Sequence, residues 1–313
     1  MLPPDRILVT GAAGFVGSWL CRRLVEEGRP VMGLLRHQPG PESLFARLGL
    51  ADKVELIGAD DADGFDRLQD FAPTTVVNLA GSSQVAVARA DPAAAFRANT
   101  AFVWELLDGL RQLDRPPAIV HASTEMVYGA GHADAFREAD HLEPLAPYAA
   151  SKAAAEIVMR SYGATYSIPV VIVRFGNIYG PGDPNQTRLI PDLTRAFAAK
   201  RAPQLREGRS IRSYLHVEDA VDALLHLSAS ARRDGVRSEV FNVAGGQPFT
   251  NLDVAMLARE ASGRSDIDIV VGQMPGSSVQ VASIAKIRNA LDWQPRIGLA
   301  EGLRRIMQQE ARP

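Results

Sequence analysis

The chain has 313 residues, 46% hydrophobic and 22% charged, which is enough to bury a substantial core and fits roughly two domains. A net charge of −2 without any basic block argues against a general nucleic-acid binder, and no run approaches the ~20 apolar residues that span a bilayer. The single cysteine, Cys21, excludes an intrachain disulfide and a cysteine-built metal site.

The opening "MLPPDR" holds no apolar stretch, so no secretory leader is expected and the protein reads as soluble and cytoplasmic. Arg6–Thr10 is the first strand pattern. Phe15–Glu27 is helical and stops at Gly28. Val31–Leu35 and Val54–Gly58 are strands, Phe65–Phe71 a short helix, and Thr75–Ala80 a fourth strand. Ala93–Leu113 is expected as one long helix, ended by Asp114 and the Pro116–Pro117 pair. Ala118–Ala122, the helix Tyr148–Tyr162 and the strand Val170–Arg174 complete the alternation. Short apolar strands separated by helices imply a parallel sheet covered on both faces, a doubly wound, Rossmann-like α/β fold.

After Arg174 the pattern loosens. "FGNIYGPGDPNQ" reads as a loop. Helices are expected at Leu189–Ala199, Val217–Ser228, Thr250–Ser262, Ser283–Leu291 and Leu299–Gln308. Shorter strands are expected at Val240–Val243 and Ile267–Val271. This gives a dinucleotide-binding domain over 1–176, with 211–243 packing back onto it, and a smaller α/β substrate lobe over 177–313.

"VTGAAGFVGSWL" places Gly11, Gly14 and Gly17 between a strand and a helix. Gly11 permits the tight turn, Gly14 lets backbone approach a pyrophosphate, and Gly17 lets the helix pack on the sheet. The free N–H groups of the helix start favour the phosphates.

"PYAASKAAAE" puts Tyr148 four residues before Lys152, on one face of a helix. A free phenol titrates near pH ~10, and bringing one to ~7 takes about 4 kcal/mol. A cation ~4 Å away supplies about that much at an effective dielectric of ~20. The pair therefore suits a general acid/base with a cation beside it. His121 and His216 are far apart in sequence and lack companion ligands, so both read as structural and no metal is expected.

The spacing G-x-x-G-x-x-G, together with "NLAG" (Asn78–Gly81), Asn99, "STEMVYG" (Ser123–Gly129), Tyr148 with Lys152, "RFGNIYGPGD", "RSYLHVEDA", "FNVAGG" and "LDWQP", resembles the extended short-chain dehydrogenase/reductase family. That family includes nucleotide-sugar epimerases, dehydratases and 4-ketoreductases. The resemblance runs over nearly the whole chain. It implies an enzyme in which Tyr148 exchanges the proton of a sugar hydroxyl, Lys152 tunes it and holds the nicotinamide ribose, and Thr124 aligns the same sugar oxygen. It implies that Gly11, Gly14, Phe15, Gly17, Asp60, Leu79, Ala80, Asn99, Tyr148 and Lys152 line the dinucleotide, and that Asn177 and Arg212 face the substrate diphosphate. Gln186–Ile190 and Arg206–Arg209 would shape the base and sugar pockets. It also implies a homodimer through the Tyr148 helix and the long helix before the fifth strand.

Two departures bear on the reaction. NAD users of this fold place an acid after the second strand, whereas this chain has Leu35, then Arg36 and His37. Arg36 would attract a 2′-phosphate, so NADP(H) is the expected cofactor, with NAD(H) the second choice. The sugar 4,6-dehydratases carry a Glu where this chain has Met126, and Met cannot act as an elimination base. If Glu125 and Met126 lie on a strand end, the Glu125 side chain points the other way. The expectation is a 4-ketosugar reductase acting at C4 of a nucleotide-diphospho-sugar. A C4 epimerase with tightly held NAD stands second, a 4,6-dehydratase third, and a non-catalytic dinucleotide sensor is the distant alternative.

Overall fold

The computed structural model describes residues 5–129, 134–273 and 276–310. In chain order its elements are β1 (Ile7–Thr10), α1 (Phe15–Glu26), β2 (Val31–Leu35), α2 (Leu44–Arg47), β3 (Glu55–Gly58), α3 (Gly64–Phe71), β4 (Thr75–Asn78), α4 (Val85–Ala90) and α5 (Pro92–Phe96). A π turn (Arg97–Ala101) leads into α6 (Phe102–Leu110). Then come β5 (Ala118–Thr124), a 3₁₀ turn (Glu125–Tyr128), α7 (Pro147–Tyr166), β6 (Val170–Phe175), β7 (Asn177–Tyr179) and α8 (Leu189–Ala198). The remainder is β8 (Gln204–Leu205), β9 (Ile211–His216), α9 (Val217–Ser230), β10 (Val240–Val243), β11 (Pro248–Thr250), α10 (Asn251–Ser262), β12 (Val270–Val271), β13 (Val279–Gln280), α11 (Ala285–Leu291) and α12 (Leu299–Glu310).

Seven strands form one parallel sheet in the order β10-β6-β5-β4-β1-β2-β3, the doubly wound α/β arrangement. The order reverses between β1 and β4, and ligands of such sheets gather at the carboxyl ends of the strands beside that reversal. These strands are mostly apolar because helices cover both faces: β1 ("ILVT") and β6 ("VVIVRF") are buried at every position. Leu8, Val76, Ile119, Leu107, Met159 and Ile172 meet in one buried cluster. Each such side chain contributes about 1.5–3 kcal/mol on leaving water. Val240–Val243, the end of the segment expected to pack back onto the first domain, is the edge strand of this sheet beside β6.

The chain divides into two compact units. The first holds the described residues up to Gly129, Leu142–Arg174 and Val221–Phe241. The second holds 134–141, Phe175–Ala220 and the described residues from Asn242 onward. Within the second unit β11, β9 and β13 pair in a small sheet, with β7 parallel to β9. Its core joins Tyr179, Leu193, Phe197, Val254 and Leu303.

The segment expected as a single long helix is broken at the π turn, and the segment expected as a loop after Arg174 contains β7. Ile267–Val271 shortens to the exposed pair Val270–Val271, paired with β8. Among the described residues no helix is long and apolar enough to cross a membrane.

Candidate active site

The glycine turn joins β1 to α1. Gly11 has φ +68, a conformation that favours glycine, and a Cβ there would stand 3.0 Å from the Ala80 amide nitrogen. Its N–H bonds the Leu34 carbonyl at 3.0 Å, and Gly14 N–H bonds the Gly11 carbonyl at 2.9 Å. Gly14 is exposed and precedes α1 with no side-chain cap, so the first N–H groups of the helix carry no side-chain acceptor. A Cβ on Gly17 would run into the Gly11 carbonyl, so glycine there permits the close helix–turn approach. Phe15 is half-buried at the first position of α1.

Beside this turn, "NLAG" leaves β4. The Ala80 N–H donates to Thr10 Oγ1 at 3.1 Å, Thr10 Oγ1 donates to Asn78 Oδ1 at 2.6 Å, and Asn78 Nδ2 meets His121 Nδ1 at 3.0 Å. Burial holds the His121 ring well below the ordinary histidine range, and the nearby Lys152 charge adds to this, so the imidazole is neutral. Leu79 and Ala80 are half-buried. Gly81 has φ +150, and a Cβ there would strike Asn99 Oδ1 and stand 3.4 Å from Lys152 Nζ. Bare backbone at Gly11, Gly14 and Gly81 is the kind of cradle a dinucleotide's phosphates and ribose require, so the residues present fit that group.

The π turn delivers Asn99. Its Oδ1 accepts from Ser82 N at 2.8 Å, and its Nδ2 reaches Ser82 O at 3.1 Å and Ser151 Oγ at 2.9 Å. Thr100 Oγ1 donates to the Ser151 carbonyl at 2.8 Å, and Ser151 Oγ donates to the Tyr148 carbonyl at 2.8 Å. One extra residue in the helical turn thus locks it to α7.

Proline at its N-terminus starts α7. Tyr148 and Lys152 are both buried on it, at 8% and 6% exposure, one turn apart. Tyr148 packs with Ala88, Ala95, Val85 and Met126. Lys152 Nζ donates to the Ala122 carbonyl at 2.9 Å. Burial pulls this ammonium down from the ordinary lysine value to about 8, against an upward pull from Glu156. Thr124 ends β5, between the residue that takes the Lys152 bond and the one that packs on Tyr148. It is buried, and its Oγ1 accepts from Met126 N at 3.3 Å.

The strand-end geometry expected for Glu125 and Met126 is not present. Both lie in a 3₁₀ turn, where successive side chains diverge by about 120° rather than alternate. Glu125 is 2% exposed, and Met126 lies against the Tyr148 cluster.

Arg36 is exposed just past the carboxyl end of β2, and Asp60 is exposed past β3. Its neighbour Asp61 is the residue that bonds the Gly58 N–H, at 2.7 Å. In the second unit, Asn177 is exposed on β7 and its Nδ2 is 3.5 Å from the Ser213 carbonyl. Arg212, on β9, donates to Ser278 O and Oγ at 2.7 Å each, so much of its guanidinium fork is engaged within that unit. Asn177 pairs with Tyr214, two residues beyond Arg212. Gln186 accepts from Arg195, and Glu207 accepts the N–H groups of Arg209 and Ser210. His216 Nδ1 accepts from the Glu218 N–H at 3.3 Å. Among the described residues no three His, Cys, Asp or Glu side chains group as a metal site.

Sequence reasoning missed Ser82 and Ser151, which hold Asn99, and the buried Ser123–Glu156–Arg174 network. For Glu156 a signal was present: it is the next four-residue step after Tyr148 and Lys152.

Residues 7–244 match the model of a family described as the NAD dependent epimerase/dehydratase family. A dTDP-glucose 4,6-dehydratase of Neisseria gonorrhoeae is 31% identical, over 96% of this chain and 94% of that protein. A dTDP-4-dehydro-6-deoxy-D-allose reductase of Streptomyces bikiniensis is 30% identical over 95% of each. The crystal structure of a UDP-glucuronic acid 4-epimerase from Bacillus cereus, in complex with UDP-glucuronic acid and NAD, is 26% identical. It superposes with a TM-score of 0.83 over 97% of this chain and 99% of that one.

Proposed function

Because the chain belongs to the NAD-dependent epimerase/dehydratase family, we propose that it transfers hydride at C4 of a nucleotide-diphospho-sugar, with reduction of a 4-ketosugar as its reaction. The observation that carries this is the buried Tyr148–Lys152 step of α7, packed against the strand end and turn that bear Thr124.

In this reading Gly11, Gly14, Phe15, Gly17, Leu79, Ala80 and Asn99 would hold a dinucleotide, with Lys152 at its ribose, Asp60 toward the adenine end and Arg36 toward the adenosine ribose. The nicotinamide, when bound, supplies hydride to the carbonyl carbon. Tyr148 gives its phenolic proton to the sugar O4 as the alkoxide develops there, and Thr124 Oγ1 donates to the same oxygen and orients it. The Lys152 ammonium stabilises the phenolate left behind. Asn177 and Arg212 are proposed to bind the substrate diphosphate.

Met126 favours reduction over elimination, because a thioether at the elimination-base position takes no proton and here packs against Tyr148. Arg36, exposed with no acid after β2, favours NADP(H). C4 epimerisation with retained NAD is the second reading, favoured by the NAD in solved relatives such as the Bacillus cereus 4-epimerase.

The test is to release and identify any dinucleotide carried through purification, then titrate NADPH and NADH with a panel of UDP- and dTDP-4-ketosugars. Dinucleotide-free protein that turns over with NADPH in preference to NADH is the expected result. Stoichiometric retained NAD with interconversion of C4 epimers would replace reduction by epimerisation.

A homodimer through α6 and α7 is also proposed, from Trp104 at 48% and Ile157 at 70% exposure on that packed helix pair. Ile157→Glu should halve the mass measured by light scattering.

A further inference from the structure

Tyr148, Lys152 and Glu156 follow at four-residue steps, so one buried stripe of α7 carries a phenol, an ammonium and a carboxylate. The reaction proposed above uses the first two. Glu156 is 2% exposed and is held from two directions. Arg174 of β6 engages it bidentately, Nη2 to Oε2 at 2.7 Å and Nε to Oε1 at 3.0 Å. Ser123 Oγ donates to Oε1 at 2.5 Å. Arg174 Nη1 also donates to Tyr128 Oη at 2.9 Å. Ser123 adjoins Thr124, and Tyr128 closes the turn that Thr124 caps. The network ties the acid/base helix to the strand end that bears Thr124. A buried ion pair adds little stability over well-packed apolar residues, so its place on the reactive stripe calls for a second role.

We propose that Glu156 is a positioning residue for hydride transfer: its carboxylate, fixed by Arg174 and Ser123, keeps the neighbouring Lys152 ammonium charged in a site closed to water. This rests on the roles given to Tyr148 and Lys152 above. Burial alone drives lysine toward the neutral amine, and Glu156 opposes that drive, leaving Lys152 at about 8. Without the carboxylate a growing fraction of Lys152 is uncharged at neutral pH, and the phenolate of Tyr148 loses its cation. Other ionisable groups on the elements against α7 do not replace it. His121 is neutral, Glu125 and Tyr128 are buried in the 3₁₀ turn, and Arg89, Arg97, Glu105 and Asp108 lie toward the surface. On α7 itself, Arg160 is exposed.

The chain has four lysines, Lys53, Lys152, Lys200 and Lys286, so protein labelled with ¹³Cε-lysine gives a spectrum that Lys152→Arg assigns. Titration of the ligand-free full chain is the experiment. Wild-type Lys152 should titrate near 8. Glu156→Gln should weaken its proton affinity about tenfold or more, and Glu156→Asp should restore most of that loss. Glu156→Gln with Arg174→Met removes both charges, so no ion is left unpaired. It should also weaken proton affinity, and it decides the matter if the single variant does not fold. A loosened, hydrated site would move Lys152 the other way, toward the ordinary 10.5. An unchanged or strengthened affinity therefore overturns the proposal. The titration needs no substrate, so its failure sinks the role of Glu156, whereas absence of any turnover by wild-type protein sinks the hydride-transfer assignment.

Discussion

The Lys152–Glu156–Arg174 stripe of the first unit and the Tyr179–His216 pair of the second bury ionisable side chains in opposite ways. In the first, Lys152, Glu156 and Arg174 are buried with polar partners: a carbonyl for the lysine Nζ, and the Arg174 fork and the Ser123 hydroxyl for the Glu156 carboxyl. In the second, Tyr179 and His216 stack edge to face at 5.4 Å and are neutral. Burial pushes the Tyr179 phenol above its ordinary range and pulls the His216 ring down to about 4. Tyr179 Oη and His216 Nε2 have no hydrogen-bond partner among the described residues. The stripe sits where the proposed reaction moves a proton, whereas the Tyr179–His216 pair belongs to a core.

The largest test of this contrast is at Tyr148. Tyr148→Phe keeps the packing with Ala88 and Ala95 but removes the proton, so kcat should fall by about 10²–10⁴-fold. A smaller loss would move the acid/base role elsewhere.

Next comes stability. Arg174→Met strands the Glu156 carboxylate and should cost about 3–5 kcal/mol in urea unfolding. Tyr179→Phe deletes a hydroxyl that has no partner and should cost under about 1 kcal/mol. Equal costs would erase the distinction between the units.

The pH response separates them more finely. His216 binds its proton more weakly folded than unfolded, so stability from this ring is full above the unfolded value of 6.5 and is lost as pH falls toward about 4. The loss is about 3 kcal/mol, and His216→Gln should flatten that part of the profile. Lys152 is also depressed, from 10.5 to about 8, so the unfolded chain holds the extra proton in that window and stability should rise with pH across it.

Strands β1, β2, β4, β5 and β6 were legible because a strand buried on both faces reads as a short apolar run, as "ILVT" and "VVIVRF" do. β7 and β9 were not. "NIY" sits among glycines and prolines, and "IRSYLH" mixes polar with apolar residues because it belongs to a small, partly exposed sheet. The π turn was invisible because "RANTA" carries no breaker and helical periodicity reads straight through it. Of the site, the glycine turn and the Tyr148–Lys152 step were legible from spacing. The partners of Asn99 and Glu156 were not, because Ser82, Ser123 and Arg174 reach them through tertiary contacts between distant segments. The misplacement of Glu125 came from extending strand alternation past Thr124, where β5 has already ended.

The widened turn at Arg97–Ala101 also sets the phase of two apolar stripes. Before it, Ala95 faces Tyr148; after it, Val103, Leu106, Leu107 and Leu110 face the sheet. Each residue of an α-helix advances about 100°, so excising one residue here would restore unbroken coiling and swing one stripe out of alignment with the other. The Asn99 amide would rotate with it. The spare residue therefore works as a clutch, letting one continuous stretch of chain meet the acid/base end of α7 before the turn, and both the sheet and the later part of α7 after it.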